Sequence, residues 1–161
     1  MIPQLEIKVA LSMLKPQAEV FEAIVEPSKM SGYFIEKGTS RMETGATVQW
    51  KFPEMDMTFP VRVNEVVSDK FISFHWGDTE GNETRVEMTL KTVRENATQV
   101  VITEKSRPND ESGLKWFKSN TEGWANFLCC LKAYLEYGIN LRKGAFEKEQ
   151  MPTEDNKEHK A

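Results

Sequence analysis

The stretch 113–142, GLKWFKSNTEGWANFLCCLKAYLEYGINLR, decides the fold. It holds no proline over thirty positions, and Phe117, Trp124, Leu128, Leu131 and Leu135 recur at helical spacing. A second stripe beside the first carries Trp116, Phe127, Cys130, Tyr134 and Tyr137. Together they make an apolar face too wide for a helix lying on a flat surface. A curved sheet that grips the helix on several sides satisfies it. The helix is expected from about Gly113 to Arg142, with Gly144 as its stop.

The residues upstream supply that sheet. Leu5, Ile7, Val9, Leu11 and Met13 alternate with polar or small neighbours, the period of a half-buried strand. Pro16 suits the first position of a helix whose apolar face is Val20, Phe21 and Ile24 and which Glu26-Pro27 ends; Ser28 to Gly32 fits one more helical turn. Strand patterns then follow one another. Val48, Trp50 and Phe52 form one, Phe59 to Val67 another, and Ile72, Phe74 and Trp76 a third. Val86, Met88 and Leu90 form the next, and Val100 and Ile102 the last. Short turns such as Ser68-Asp69-Lys70 and Glu95-Asn96 join them with no intervening helix, so the strands form an antiparallel meander. The fold class is α+β: six to seven strands, two short helices after the first, and the long helix last.

Composition agrees with one globular domain. The chain has 161 residues, 39% of them hydrophobic and 29% charged, enough to bury a core without staples. The domain is expected over residues 1–146, with the polar stretch 147–161 as a mobile tail. The formal net charge of −4, without a block of Lys and Arg, excludes phosphate backbones as a first choice of partner. No apolar run is long enough to span a bilayer, so membrane insertion is not expected. The opening Met1-Ile2-Pro3-Gln4-Leu5-Glu6 lacks the basic and apolar regions of a secretion signal. The two cysteines, Cys129 and Cys130, are adjacent, which reads as buried free thiols in a reducing cytoplasm.

At this point order and residues converge on a family. The pieces are Pro16-Gln17-Ala18-Glu19-Val20-Phe21-Glu22-Ala23-Ile24, Ile72-Ser73-Phe74-His75-Trp76, Thr98-Gln99-Val100-Val101-Ile102-Thr103-Glu104, and Gly123-Trp124 with Leu128, Leu131 and Lys132-Ala133-Tyr134-Leu135-Glu136. Over about residues 4–143 the chain resembles the START-like (SRPBCC) superfamily, which includes the major birch-pollen allergen. Within it, the chain is similar to the branch named for the C-terminal domain of the heat-shock-protein-90 ATPase activator. The resemblance implies a helix-grip fold. It implies work of several kinds: binding of lipids or hormones, polyketide cyclisation or aromatisation, and chaperone regulation.

Candidate site residues follow from the inward phase of each element. Trp50, Phe74 and Trp76 face inward from the middle strands, Met88, Ile102 and Glu104 from the last two, and Trp124, Phe127 and Tyr134 from the helix. They either form the lining of a cavity for a small apolar or aromatic molecule or, as the three tryptophans equally allow, simply fill the core. Glu104 is the weak catalytic candidate: on the inner face its carboxylate either orients a ligand hydroxyl or acts as a base, or else reaches solvent or an Arg or Lys at the strand's end. Tyr33, Tyr134 and Tyr137 either offer hydroxyls to a cavity mouth or pack as rings with wet hydroxyls, and Met55 and Met57, flanking Asp56, form either a soft lid or, more simply, an ordinary hairpin loop. His75 has the outward phase of its strand and reads as exposed; with only His159 besides, no histidine metal site is expected. No nucleophile elbow, phosphate-cradling glycine loop or metal cluster is present, and no cofactor is expected. The leading expectation is a binding module, as a monomer or weak homodimer. The alternatives are a cyclase or hydrolase on an aromatic substrate and, from the branch name, a chaperone partner.

Overall fold

The computed structural model describes residues 2–78 and 80–146. The chain runs β1 (Gln4–Met13), α1 (Gln17–Val25), α2 (Pro27–Met30), β2 (Lys37–Gly38), β3 (Thr47–Lys51), β4 (Thr58–Val67), β5 (Phe71–Gly77), β6 (Glu83–Arg94), β7 (Ala97–Pro108) and α3 (Glu111–Tyr137). The seven strands form one sheet in the order β1-β7-β6-β5-β4-β3-β2, and every pair is antiparallel. β2 to β7 are sequential neighbours, as short turns require. Only β1 lies out of sequence, beside β7, and the α1–α2 connection carries the chain from it to β2 at the opposite edge.

Register fixes which side chains face α3. Val9 stands opposite Ile102, Ile102 opposite Met88, and Glu104 opposite Val86. Phe74 also stands opposite Val86, and Trp50 opposite Phe59. Because successive strand residues alternate faces, this register puts one apolar row on the concave side, and α3 packs on it. The sheet bends at two-against-one irregularities, between Leu5 and Glu6 on β1, between Val63 and Glu65 on β4, and between Thr92 and Arg94 on β6.

Local chemistry explains the ends of the elements. Asp110 caps α3 by accepting from the Gly113 N–H at 2.7 Å. Gly113 itself is dictated by space, since a Cβ there would stand 1.8 Å from the Pro108 carbonyl oxygen. The helix ends at Gly138, whose φ of 65° is left-handed, and its N–H returns to the Tyr134 carbonyl at 3.0 Å. The stop therefore comes before the expected Gly144, because the 139–146 segment leaves the helix axis. Pro16 is the residue before the first turn of α1, with extended backbone (ψ 155°), and its carbonyl accepts from Glu19 and Val20. Gln17 then ties α1 to the sheet. Its Nε2 donates to the Asp69 carbonyl at 2.7 Å, and its Oε1 accepts from Thr92.

One strand lies outside the alternation read from the sequence, and two further expectations need correction. The two-residue β2 carries no alternation and is held by pairing with β3 alone. Cys130 is buried, but Cys129 is exposed, because adjacent helical residues cannot share one face. Tyr137 is 70% exposed at the last turn of α3, away from the concave side.

Candidate functional site

The inner face of β7 ends in Glu104, and the structure buries it completely, at 0% exposure. It neither reaches solvent nor pairs with a cation: among the described residues no Lys, Arg or His lies within ion-pair distance of it. Four neutral groups donate to it instead. Trp124 Nε1 and Asn120 Nδ2 reach Oε1 at 2.8 and 3.1 Å. Trp76 Nε1 reaches Oε2 at 2.9 Å and the Thr84 hydroxyl reaches it at 2.5 Å. A buried carboxylate is tolerable only with its acceptor sites filled, and here each oxygen has two partners. Register brings these donors together. Trp76 and Thr84 are cross-strand partners on β5 and β6, while Asn120 and Trp124 stand one helical turn apart on α3.

In front of this carboxylate opens a cleft of about 670 Å3. One wall is apolar: Phe52, Met55, Met57 and Phe59 from the end of β3 and the start of β4, with Trp76 beside them. Thr84, Glu104 and Asn120 form the floor, and Trp116 of α3 closes the far side. The mouth is charged. Arg107 donates to Asp78 at 3.2 Å and to the Ser112 hydroxyl at 2.9 Å, with its guanidinium carbon 5.9 Å from the centre of the Trp116 ring. Arg62 pairs with Glu83 at 2.5 Å. Asp78 also folds the loop that follows it, accepting from the Glu80 and Asn82 backbone N–H groups at 2.9 Å each. Burial pushes against the Asp78 carboxylate, but the hydrogen bonds from Asn82 and Glu80 and the charge of Arg107 outweigh it and hold its pKa below the usual range.

The loop between β3 and β4 is latched from the far end of the chain. Arg142 forms an ion pair with Glu54, and its guanidinium lies 5.0 Å from the Phe52 ring and 4.7 Å from the Phe146 ring. Met55 and Met57 therefore sit in a wall whose backbone is held by the segment after α3.

The sequence-derived candidates divide between this cleft and the core. Trp76 and Glu104 line the cleft. Trp124 stands just behind Trp76, ring centres 5.3 Å apart, and reaches the site through its N–H. Trp50, Phe74, Met88, Ile102 and Phe127 lie in the packed core, at most 1% exposed. Around Trp50 and Phe127 the space is filled by Phe34, which inserts between sheet and helix with its ring 5.7 Å from Trp50, 6.1 Å from Trp124 and 4.7 Å from Phe127. Tyr134 packs on Tyr33 at 5.3 Å, at the other end of the interface. The Tyr33 hydroxyl donates to the Ala23 carbonyl at 2.9 Å, and burial drives its pKa well above that of a free phenol. His75 is on the outer side as its phase requires, but half-buried rather than exposed, with Nδ1 within 3.1 Å of the Asn64 side-chain amide. Burial, then the charges of Arg62 and Arg85, lower its pKa.

The sequence reading missed Thr84, Arg107, Trp116 and Asn120. Thr84 shares the phase of Val86 and Met88, and Trp116, Asn120 and Trp124 are spaced by four, so three of the four were detectable. Arg107 follows the bend where β7 meets β1 irregularly, and strict alternation does not reach it. Among the described residues no group of three or more His, Cys, Asp or Glu side chains is placed to hold a metal ion, and no helix is long and apolar enough to cross a membrane.

Comparison with known proteins agrees with this architecture. Protein SSP2350 from Staphylococcus saprophyticus superposes with a TM-score of 0.76 at 29% identity, covering 86% of this chain and 96% of that one. DynU16, a protein of the dynemicin biosynthetic locus, superposes at 0.72 with 27% identity over 83% of this chain, which spans about half (48%) of DynU16. The Aha1 dimer from Colwellia psychrerythraea shares the fold, with a TM-score of 0.71 at 17% identity over 83% of this chain and 98% of that one. No curated protein sequence matches. A family model described as activator of Hsp90 ATPase homolog 1-like protein matches residues 15–136, from the start of α1 almost to the end of α3. The chain therefore belongs to the activator of Hsp90 ATPase homolog 1-like family, on the START-like helix-grip fold.

Proposed function

We propose that the chain is a binding module for a small, largely apolar aromatic molecule, held in the cleft in front of Glu104. The observation that carries this reading is the cleft's make-up: a wall of Phe52, Met55, Met57, Phe59 and Trp76 over a floor of fixed polar groups, within a volume suited to a ligand of a few fused rings. The likeness to DynU16, a protein in the dynemicin biosynthetic locus, is compatible with a small-molecule site.

Glu104 acts here by positioning. Its oxygens already accept four hydrogen bonds, so it holds Thr84 and Asn120 in the cleft's floor and Trp76 in its wall. It keeps no lone pair for taking a proton from a substrate. This favours binding over the cyclase or hydrolase reading.

The test is a thermal-shift screen with fatty acids, sterols, flavonoids and polycyclic aromatics. A ligand at one hundred times its dissociation constant adds about 2.7 kcal/mol. In a chain of this size that raises the melting midpoint by roughly 5–10 °C. A shift confined to flat aromatics supports the reading. A flat panel, with a cooperative melt of the protein alone, rejects it.

A further inference from the structure

The cleft's hydrogen-bond balance carries a sharper statement, which rests on the binding reading above. Glu104 engages the polar hydrogens at the floor. An indole has one N–H, and those of Trp76 and Trp124 both point at the carboxylate. The single O–H of Thr84 does the same. What Thr84 still offers the cleft is the lone pairs of its oxygen, made a stronger acceptor because its own proton is donated to a carboxylate. Asn120 is fixed by the same logic. A carboxylate only accepts, so the amide must turn Nδ2 toward Glu104, which leaves Oδ1 as the opposite terminus. That oxygen has no partner among the described residues, and Asn120 lines the cleft. One Asn120 N–H remains; the other hydrogens of the floor are committed inward.

Charge points the same way. Arg62 and Arg107 at the mouth are matched by Glu83 and Asp78, and Glu104 adds a further carboxylate in the floor with only neutral partners. An anionic ligand would compete with two carboxylates for the arginines and approach a third.

We propose that the cleft selects aromatic ligands that bring hydrogen-bond donors, phenols and N–H heterocycles, over O-alkylated or anionic counterparts of the same shape. The ligand's O–H or N–H donates to Thr84 Oγ1 or to Asn120 Oδ1 while its rings lie against Trp76 and Phe59. A site with fixed acceptors discriminates strongly against an analogue without the donor, because desolvated acceptors are then left unpaired.

Calorimetric titration of the full chain at pH 7 with 2-naphthol, 2-methoxynaphthalene and 2-naphthoate tests this. The naphthol is expected to bind about tenfold or more tightly than its methyl ether, with the naphthoate weakest. Thr84→Ser, which keeps the hydroxyl, should preserve the ratio, and Thr84→Val should bring it toward one. The wild-type ratio decides the matter even if Thr84→Val fails to fold. Equal binding of naphthol and ether, or tighter binding of the naphthoate, overturns the selectivity while leaving the cleft as a binding site. No binding of any of the three up to their solubility overturns the selectivity and the binding reading together.

Discussion

Two adjoining regions of the sheet–helix interface are built from the same kinds of residue and behave differently. In one, Phe34, Trp50, Phe74 and Phe127 meet edge to face, with ring centres 4.7 to 5.7 Å apart where they touch, and leave no room. In the next, Trp76, Phe59 and Phe52 pack on one another, at 6.0 and 5.0 Å, but face a cleft. Aromatic content does not distinguish them. The difference lies in what enters from the side. The segment after α2 drives Phe34 into the first region, whereas the second holds a carboxylate, and a carboxylate needs its donors arranged around it rather than a ring pressed onto it. One region is filled by an inserted ring, and the other borders a buried carboxyl group with four donors around it.

Breaking the filled region should have the largest effect. Phe34→Ala removes the ring that touches Trp50, Phe52, Trp124 and Phe127 and is expected to cost about 3–5 kcal/mol in urea unfolding. The cavity left should take up a small apolar probe such as indole, seen as partial recovery of the melting midpoint. Breaking the open region comes next. Glu104→Gln replaces one oxygen with an amide N–H2 facing two donors, and a destabilisation of about 2–3 kcal/mol is expected. Loss of naphthol binding and altered fluorescence of Trp76 and Trp124 should accompany it. An unchanged denaturation midpoint would show that the four hydrogen bonds are not what holds the carboxylate.

A smaller effect separates the cleft wall from the core. Arg142→Met keeps contact with the aromatic rings but leaves Glu54 without its partner, at an expected cost of about 1 kcal/mol. Hydrogen exchange should speed up across residues 52–58 and stay unchanged in β6 and β7. Equal acceleration in both would mean that the 139–146 segment supports the whole core. The smallest effect is a pH response at the mouth. The Asp78 carboxyl has a pKa in the folded chain below its unfolded value. Its stabilising contribution is therefore complete at neutral pH and is lost as pH falls below about 4. Exchange at residues 80–83 should rise over that range, and Asp78→Asn should abolish the response.

Much of this was legible from spacing. The strand order after residue 46 follows from alternation interrupted by turn residues, and the grip on α3 follows from the width of its apolar face. Glu104 was placed on the inner side by its phase with Val100 and Ile102. Its four partners come from three separated segments, and no local pattern joins residue 76 to residues 84, 120 and 124. Phe34 was invisible for a different reason. It lies in a stretch without periodicity after α2, where nothing in the chain indicates direction. The late residues of α3 misled for a third reason: Tyr137 keeps the helical phase but stands beyond the edge of the sheet.

The sequence alone thus determined the elements other than β2, the antiparallel succession from β3 to β7 and the face each would bury, because these depend on contacts a few residues apart and on the period of the backbone. Where the interface closes and where it opens was decided by the tertiary structure. That outcome depends on whether a ring or a carboxylate occupies a given few ångströms between sheet and helix, and on which donors the register brings within 3 Å of it. Spacing along the chain carries no information on distances across a core.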